Sequence, residues 1–196
     1  MQSFLIILSA FGLYSVVHSI LASLRFKAWL QTLTGPDWMQ RWYRLVFNVI
    51  GTITLLPIFY LLTVLPNRQL YIVPMPWALI NYGLQGFGLW VLVDSVRQTG
   101  ALAFLGIRQL AEGQGEQGFT QSGYYGRVRH PLYSGAMLFL WASPQMSWLS
   151  LAFYLAMSLY FWIGAIFEER KLLRIFGADY AVYQAEIPRF IPKFSK

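Results

Sequence analysis

The 196-residue sequence contains no cysteine. Disulfides, thiolate metal sites and a cysteine nucleophile are therefore excluded within this chain. Charge is scarce: 12% of the residues are charged, against about a quarter in a soluble domain. Much of the surface must then face something other than water. Acidic residues are the rarest class, eight against fifteen Lys and Arg, for a net charge of +7. Only two histidines occur, His18 and His130, and the second is placed at a membrane edge, so a two-His metal site is not expected and no metal is assigned. The N-terminus lacks a basic n-region, and its apolar stretch is too long for a signal sequence, so it reads as a retained first span. No internal repeat is visible.

What is present is apolar and aromatic. The chain is 57% hydrophobic and 18% aromatic, with eight Trp and twelve Tyr, residues that suit a membrane interface. Apolar runs extend from Ser3 to Leu24, from Leu45 to Leu65 and from Trp77 to Val96. Each is near the ~20 residues that cross a ~30 Å hydrocarbon core. From Pro131 to Phe167 there is no charged residue at all. That stretch is too long for one span and fits two, turning at Ser143-Pro144-Gln145-Met146-Ser147, with one arm short or tilted. The expected fold is an all-α integral membrane protein of about five transmembrane helices, the last two a tight hairpin, with a cytoplasmic C-terminal tail.

The basic residues set the orientation. Arg25, Lys27, Arg41 and Arg44 follow the first span, and only Arg68 lies between the second and third. Arg97, Arg108, Arg127 and Arg129 follow the third, and Arg170, Lys171, Arg174, Arg189, Lys193 and Lys196 fill the tail. This alternation places the N-terminus outside and the C-terminus in the cytoplasm. Basic residues at the ends of apolar runs serve orientation and membrane lipids rather than nucleic acid. One domain results: spans one to three in 1–97, a cytoplasmic loop in 98–130, the hairpin in 131–167 and the tail in 168–196. Within the loop, Glu112-Gly113-Gln114-Gly115-Glu116-Gln117-Gly118 reads as flexible. Leu172, Leu173, Ile175 and Phe176 suggest an amphipathic continuation of the fifth helix, ended by Gly177. Oligomeric state is not legible.

The chemistry-bearing stretch surrounds Pro131, which suits the first position of a helix, with His130 at the N-cap. Arg127 and Arg129 precede it. A helix start with two arginines can hold a carboxylate or phosphate; it can equally anchor the chain on headgroups. At the other hairpin end stand Glu168 and Glu169, unfavourable at a helix C-terminus unless a cation compensates them. Neighbouring arginines or a cationic ligand would do so. The hairpin brings both ends to one cytoplasmic mouth, where a zwitterion with an apolar body, such as S-adenosylmethionine, would fit. In the N-terminal half, His18 is polar within an apolar span and either contacts a substrate or bridges helices. Arg44 and Asn48 lie one turn apart and could face the same cavity. Gly83, Gly86 and Gly88 lie inside a span, so helix packing is expected there instead of a nucleotide loop.

Four motifs occur in order: Arg129-His130-Pro131-Leu132-Tyr133-Ser134-Gly135, Glu168-Glu169-Arg170, Phe176-Gly177-Ala178-Asp179-Tyr180-Ala181-Val182-Tyr183 and Ile187-Pro188-Arg189-Phe190-Ile191-Pro192. Together they resemble the membrane methyltransferase superfamily of isoprenylcysteine carboxyl methyltransferases and phospholipid N-methyltransferases. His18-Ser19 and Arg41-Trp42-Tyr43-Arg44-Leu45-Val46-Phe47-Asn48 resemble its methanethiol S-methyltransferase and NnrU-like branch. The resemblance implies an S-adenosylmethionine-dependent methyltransferase acting on a small thiol or lipophilic acceptor. It implies a cofactor pocket lined by His130, Pro131, Tyr133 and Gly135, with Glu168 or Glu169 on the cofactor ammonium and Tyr180 and Tyr183 over the adenine. Arg129 and His130 are the catalytic candidates. His18, Arg44 and Asn48 are the substrate-side candidates. Carboxyl or phospholipid N-methylation, and a non-enzymatic NnrU-like role, are the alternatives.

Overall fold

The computed structural model describes residues 1–113 and 118–193. The centre of the expected flexible stretch (114–117) and the last basic residue, Lys196, lie outside the described residues. The chain runs α1 (Gln2–Ala22), α2 (Leu24–Thr34), α3 (Pro36–Arg41), α4 (Tyr43–Val64), β1 (Gln69–Ile72), α5 (Ala78–Gln98), α6 (Ala101–Leu105), α7 (Ile107–Glu112), a 3-10 turn (Gly123–Gly126), α8 (Pro131–Trp141), β2 (Gln145–Ser147) and α9 (Trp148–Glu186). Among the described residues, α1, α4 and α9 are long and apolar enough to cross a membrane. Their outward side chains are large and apolar, Leu13, Val16, Ile53 and Leu159 being more than half exposed, as suits a lipid solvent.

The chain divides into two compact units. The first comprises Met1–Arg68, Gly100–Gln117 and Trp148–Phe153. Its apolar helices satisfy their few hydroxyls internally: Ser15 donates to the Phe11 carbonyl at 2.8 Å and Thr54 to that of Ile50 at 2.7 Å. Ser23 closes α1 and caps α2 by accepting from the Phe26 amide at 3.2 Å. Pro36 opens α3, where its missing N–H costs nothing. The Tyr43 hydroxyl donates to the Leu21 carbonyl and ties the start of α4 to the end of α1.

The second unit comprises Gln69–Thr99, Gly118–Ser147 and Tyr154–Lys196. Here α5 and α8 meet backbone to backbone. A Cβ on Gly88 would stand 2.7 Å from the Phe139 nitrogen, and one on Gly135 would stand 2.7 Å from the Gly88 oxygen. Only glycine allows this approach. Gly88 thus serves helix packing, as the apolar context predicts. Gly83 and Gly86 have open space where a side chain would be. The amides of Asn81 and Gln85 donate to the Ala142 and Phe139 carbonyls at 3.1 and 2.9 Å. They satisfy the C-terminal end of α8, whose last carbonyls have no partner within the helix.

Two features depart from the sequence expectation. The chain does turn between Trp141 and Trp148, but part of the turn is β2, which pairs antiparallel with β1, Ile72 opposite Gln145. The all-α architecture therefore carries one small strand pair. As a result α8 has only 11 residues, about 16 Å, half of a ~30 Å core. The second departure lies beyond Gly177. The first helical stretch of α9 ends there as expected, at φ 53° and ψ −124°, but a second stretch resumes and runs through residue 186. A left-handed residue interrupts the ladder at no steric cost when it is glycine. The helix resumes because Tyr180 and Tyr183 beyond the break are buried.

Candidate functional site

The four motifs meet inside the second unit, around one carboxylate. Pro131 opens α8 with His130 as its N-cap residue, which fixes the direction of the His130 ring. Glu169 lies just beyond the apolar part of α9 and is 2% exposed. Its Oε1 accepts from Arg129 Nε at 2.9 Å, from His130 Nε2 at 3.0 Å and from Arg189 Nε at 2.9 Å. Its Oε2 accepts from Arg189 Nη2 at 2.7 Å and from Gln184 Nε2 at 2.9 Å. Burial alone would raise the Glu169 carboxyl. The hydrogen bonds from His130, Arg189 and Arg129 outweigh it and hold the group far below the usual carboxylate range. Glu169 in turn raises the Arg189 guanidinium.

Glu168 has a different environment. Its side chain is 49% exposed. It accepts from the Tyr133 hydroxyl at 3.1 Å and lies 3.6 Å from His130 Nδ1. An ionised carboxylate only accepts, so His130 Nε2 must carry the hydrogen that meets Glu169. In a neutral ring, Nδ1 is then an acceptor facing the Glu168 oxygen. Two acceptors so close call for a donor between them, either a proton or the N–H of a ligand.

Aromatic rings hold these groups still. Tyr133 lies parallel to His130, 5.3 Å between centroids, and stacks on Phe161 at 4.8 Å. Arg189 sits over the Trp162 ring at 5.7 Å. Tyr180 and Tyr183 are buried beneath Phe119, whose ring is 5.2 and 5.4 Å from theirs. Tyr183 donates to the Tyr125 carbonyl at 2.7 Å, and burial pushes its phenol up to about 12. Burial and then the Glu168 charge push Tyr125 up to about 12 as well. Both phenols are donors at neutral pH, not bases.

The structure thus brings Arg129, His130, Pro131, Tyr133, Glu168 and Glu169 together. Gly135 faces α5, as its missing Cβ shows. Arg129 is not on a headgroup: its side chain is 9% exposed, and it donates to the Gln184 carbonyl at 2.8 Å and to that of Ile187. Arg127 is exposed. Arg189 and Gln184 carry roles the sequence reading did not assign; the Pro188-Arg189 pair within the fourth motif was the available signal. The substrate-side candidates lie in the first unit. His18 packs its ring on Phe47 at 4.5 Å and lies over Gly51, where a Cβ would be 3.1 Å from His18 Cε1. Arg44 and Asn48 both donate to the Phe104 carbonyl, at 3.2 and 2.9 Å, and so hold α6 to α4.

Neither a family model nor a solved structure matches the chain. Curated proteins do. The chain is 28% identical to methanethiol S-methyltransferase 1 of Bradyrhizobium diazoefficiens, over 97% of this chain and 67% of that protein. It is 29% identical to methanethiol S-methyltransferase 2 of the same organism, over 98% and 74%. It is 27% identical to the methanethiol S-methyltransferase of Mycobacterium tuberculosis, over 97% and 79%. The ordered motifs and these similarities agree: the chain is similar to methanethiol S-methyltransferases along nearly its whole length.

Proposed function

We propose that this protein transfers the methyl group of S-adenosylmethionine to a small thiol such as methanethiol. The observation that carries the cofactor reading is the half-exposed Glu168 carboxylate, held by the Tyr133 hydroxyl and 3.6 Å from His130 Nδ1. An amino-acid ammonium supplies donors to that carboxylate. Glu168 is the carboxylate assigned to that ammonium, because the acceptor sites of Glu169 are filled by protein donors. The ligand carboxylate has the start of α8 and the exposed Arg127 as partners. Pro131 and Tyr133 form the wall beside them. The thiol reading rests on the names of the relatives.

The cofactor supplies a methyl carbon already activated by its sulfonium. This chain need only bind, orient and exclude water. Tyr133, stacked with His130 and Phe161, fixes Glu168 through its hydroxyl. Arg129 acts through Glu169 and the tail instead of touching the reacting atoms. We assign five crossings, with the N-terminus outside and the tail cytoplasmic. In the fourth, α8 is the short arm of the hairpin, about 16 Å of helix against about 30 Å for α9 from Trp148 to Phe167.

Calorimetry of purified protein with S-adenosylhomocysteine, and separately with NADPH, tests the cofactor. Saturable heat and a raised melting temperature with the former alone are expected. Binding of NADPH alone would point to a reductase on this scaffold and overturn the proposal. Turnover with S-adenosylmethionine and methanethiol should yield dimethyl sulfide. Turnover of a prenylated cysteine or a phospholipid amine, but not of methanethiol, would refute the thiol assignment.

A further inference from the structure

We infer that Glu169 is a positioning residue: its carboxylate seats the C-terminal segment 184–190 against the start of α8 and leaves Glu168 as the member of the pair that meets a ligand. The division of labour rests on the cofactor reading above; the seating of the tail does not.

A carboxylate offers about four lone-pair directions. Glu169 takes three donors on Oε1 and two on Oε2, so no direction is left for a ligand. The donors come from three separate stretches of chain. Arg129 and His130 belong to the approach to α8, Gln184 to the last turn of α9, and Arg189 to the segment after it. Backbone bonds follow the same seam. The Arg129 amide donates to the Pro188 carbonyl at 2.9 Å and the His130 amide to that of Arg189 at 3.1 Å. Ser134 Oγ donates to the Phe190 carbonyl at 2.7 Å. The two guanidiniums would repel each other without the anion between them. Glu169 therefore turns two cations on different segments into a clasp. The same bond to His130 Nε2 directs Nδ1 toward Glu168. Loss of the Glu169 charge should free the tail and unset His130 together.

The absence of native cysteine makes the test direct. A single cysteine in place of Ile187, which is half-buried in the seam, reports tail seating by its rate of maleimide labelling in purified protein without ligand. Glu169→Gln should speed labelling at least tenfold, Glu169→Asp by less, and Glu168→Gln not at all. In turnover, Glu169→Gln should raise KM for S-adenosylmethionine more than it lowers kcat. Should Glu169→Gln not yield folded protein, Arg189→Gln carries the same labelling test, since it leaves Arg129 and His130 on Glu169. Unchanged labelling in Glu169→Gln, or in Arg189→Gln where that is the variant available, overturns the clasp. So does a fall in kcat with KM unaltered. If the parent protein gives no heat with S-adenosylhomocysteine while labelling responds as stated, the cofactor reading fails and the clasp stands.

Discussion

Gly135→Ala separates two explanations for a glycine inside the first motif. One assigns it to the cofactor wall and the other to the α5–α8 contact. In the structure an added Cβ would stand 2.7 Å from the Gly88 carbonyl oxygen and 2.8 Å from the Leu92 nitrogen, both backbone atoms. Ordinary contact begins at 3.4 Å, so the helices must part by roughly 0.7 Å or the methyl group must be accommodated by tilting α8. Neither neighbour is a flexible side-chain end that can swing away. Overpacking of this kind costs about 1–3 kcal/mol, enough to lower the melting temperature by several degrees in a chain of this size. The displaced helix also carries His130 and Tyr133, so ligand affinity should fall with stability. Gly86→Ala, with open space at the same depth of α5, is the control and should melt with the parent protein. Melting of both variants in detergent, with and without S-adenosylhomocysteine, reads the difference. If Gly135→Ala melts with the parent protein yet loses ligand binding, the helix-contact explanation is wrong and the glycine belongs to the cofactor wall.

Three further outcomes are expected. Glu168→Gln keeps shape and removes charge. Because the site is half exposed, the loss belongs at the lower end for a charge-assisted hydrogen bond, about 1.5 kcal/mol or roughly tenfold in S-adenosylhomocysteine affinity, measured by calorimetry against unchanged ligand-free melting. Glu169 is depressed in the folded state, so its stabilising contribution is full at neutral pH and drains away as pH falls below the ordinary carboxylate value of about 4.3. Melting temperature followed from pH 7 downward should therefore fall more steeply in the parent protein than in Glu169→Gln, and parallel curves would contradict this. Topology is tested by cysteines at Arg68 and Lys171: in intact cells an impermeant maleimide should reach the first and not the second, and the reverse pattern would invert the orientation.

How far the sequence carries this reading depends on what each residue needs. Apolar runs and basic alternation need only local composition, and α1, α4 and α9 appear where those runs lie. The Pro131 helix start is also local, since a missing N–H costs nothing there. The strand pair of β1 with β2 is different. It joins residues some seventy positions apart, and nothing in Gln69-Leu70-Tyr71-Ile72 alone distinguishes it from the end of a span. The resumption of α9 past Gly177 was hidden for a related reason. Glycine there is compatible with a stop or a bend, and burial of Tyr180 and Tyr183 decides. The distinction between Glu168 and Glu169 is a matter of helical phase. Adjacent residues on a helix point about 100° apart, and which one faces inward depends on a tail that the local pattern does not place. Arg44 and Asn48 show the same limit: one turn apart they share a partner, and that partner is a backbone carbonyl.

The arrangement around Glu169 also separates what a truncation spares from what it removes. A chain cut after Glu186 keeps every apolar run but loses Arg189, and with it two of the five hydrogen bonds on Glu169. The backbone bonds from the Arg129 and His130 amides to Pro188 and Arg189 go with it. Entry into a membrane and the setting of the Glu169 carboxylate are thus written in different parts of the sequence, and a cellular check that senses only apolar runs would pass a chain in which that carboxylate has lost its two-pronged partner.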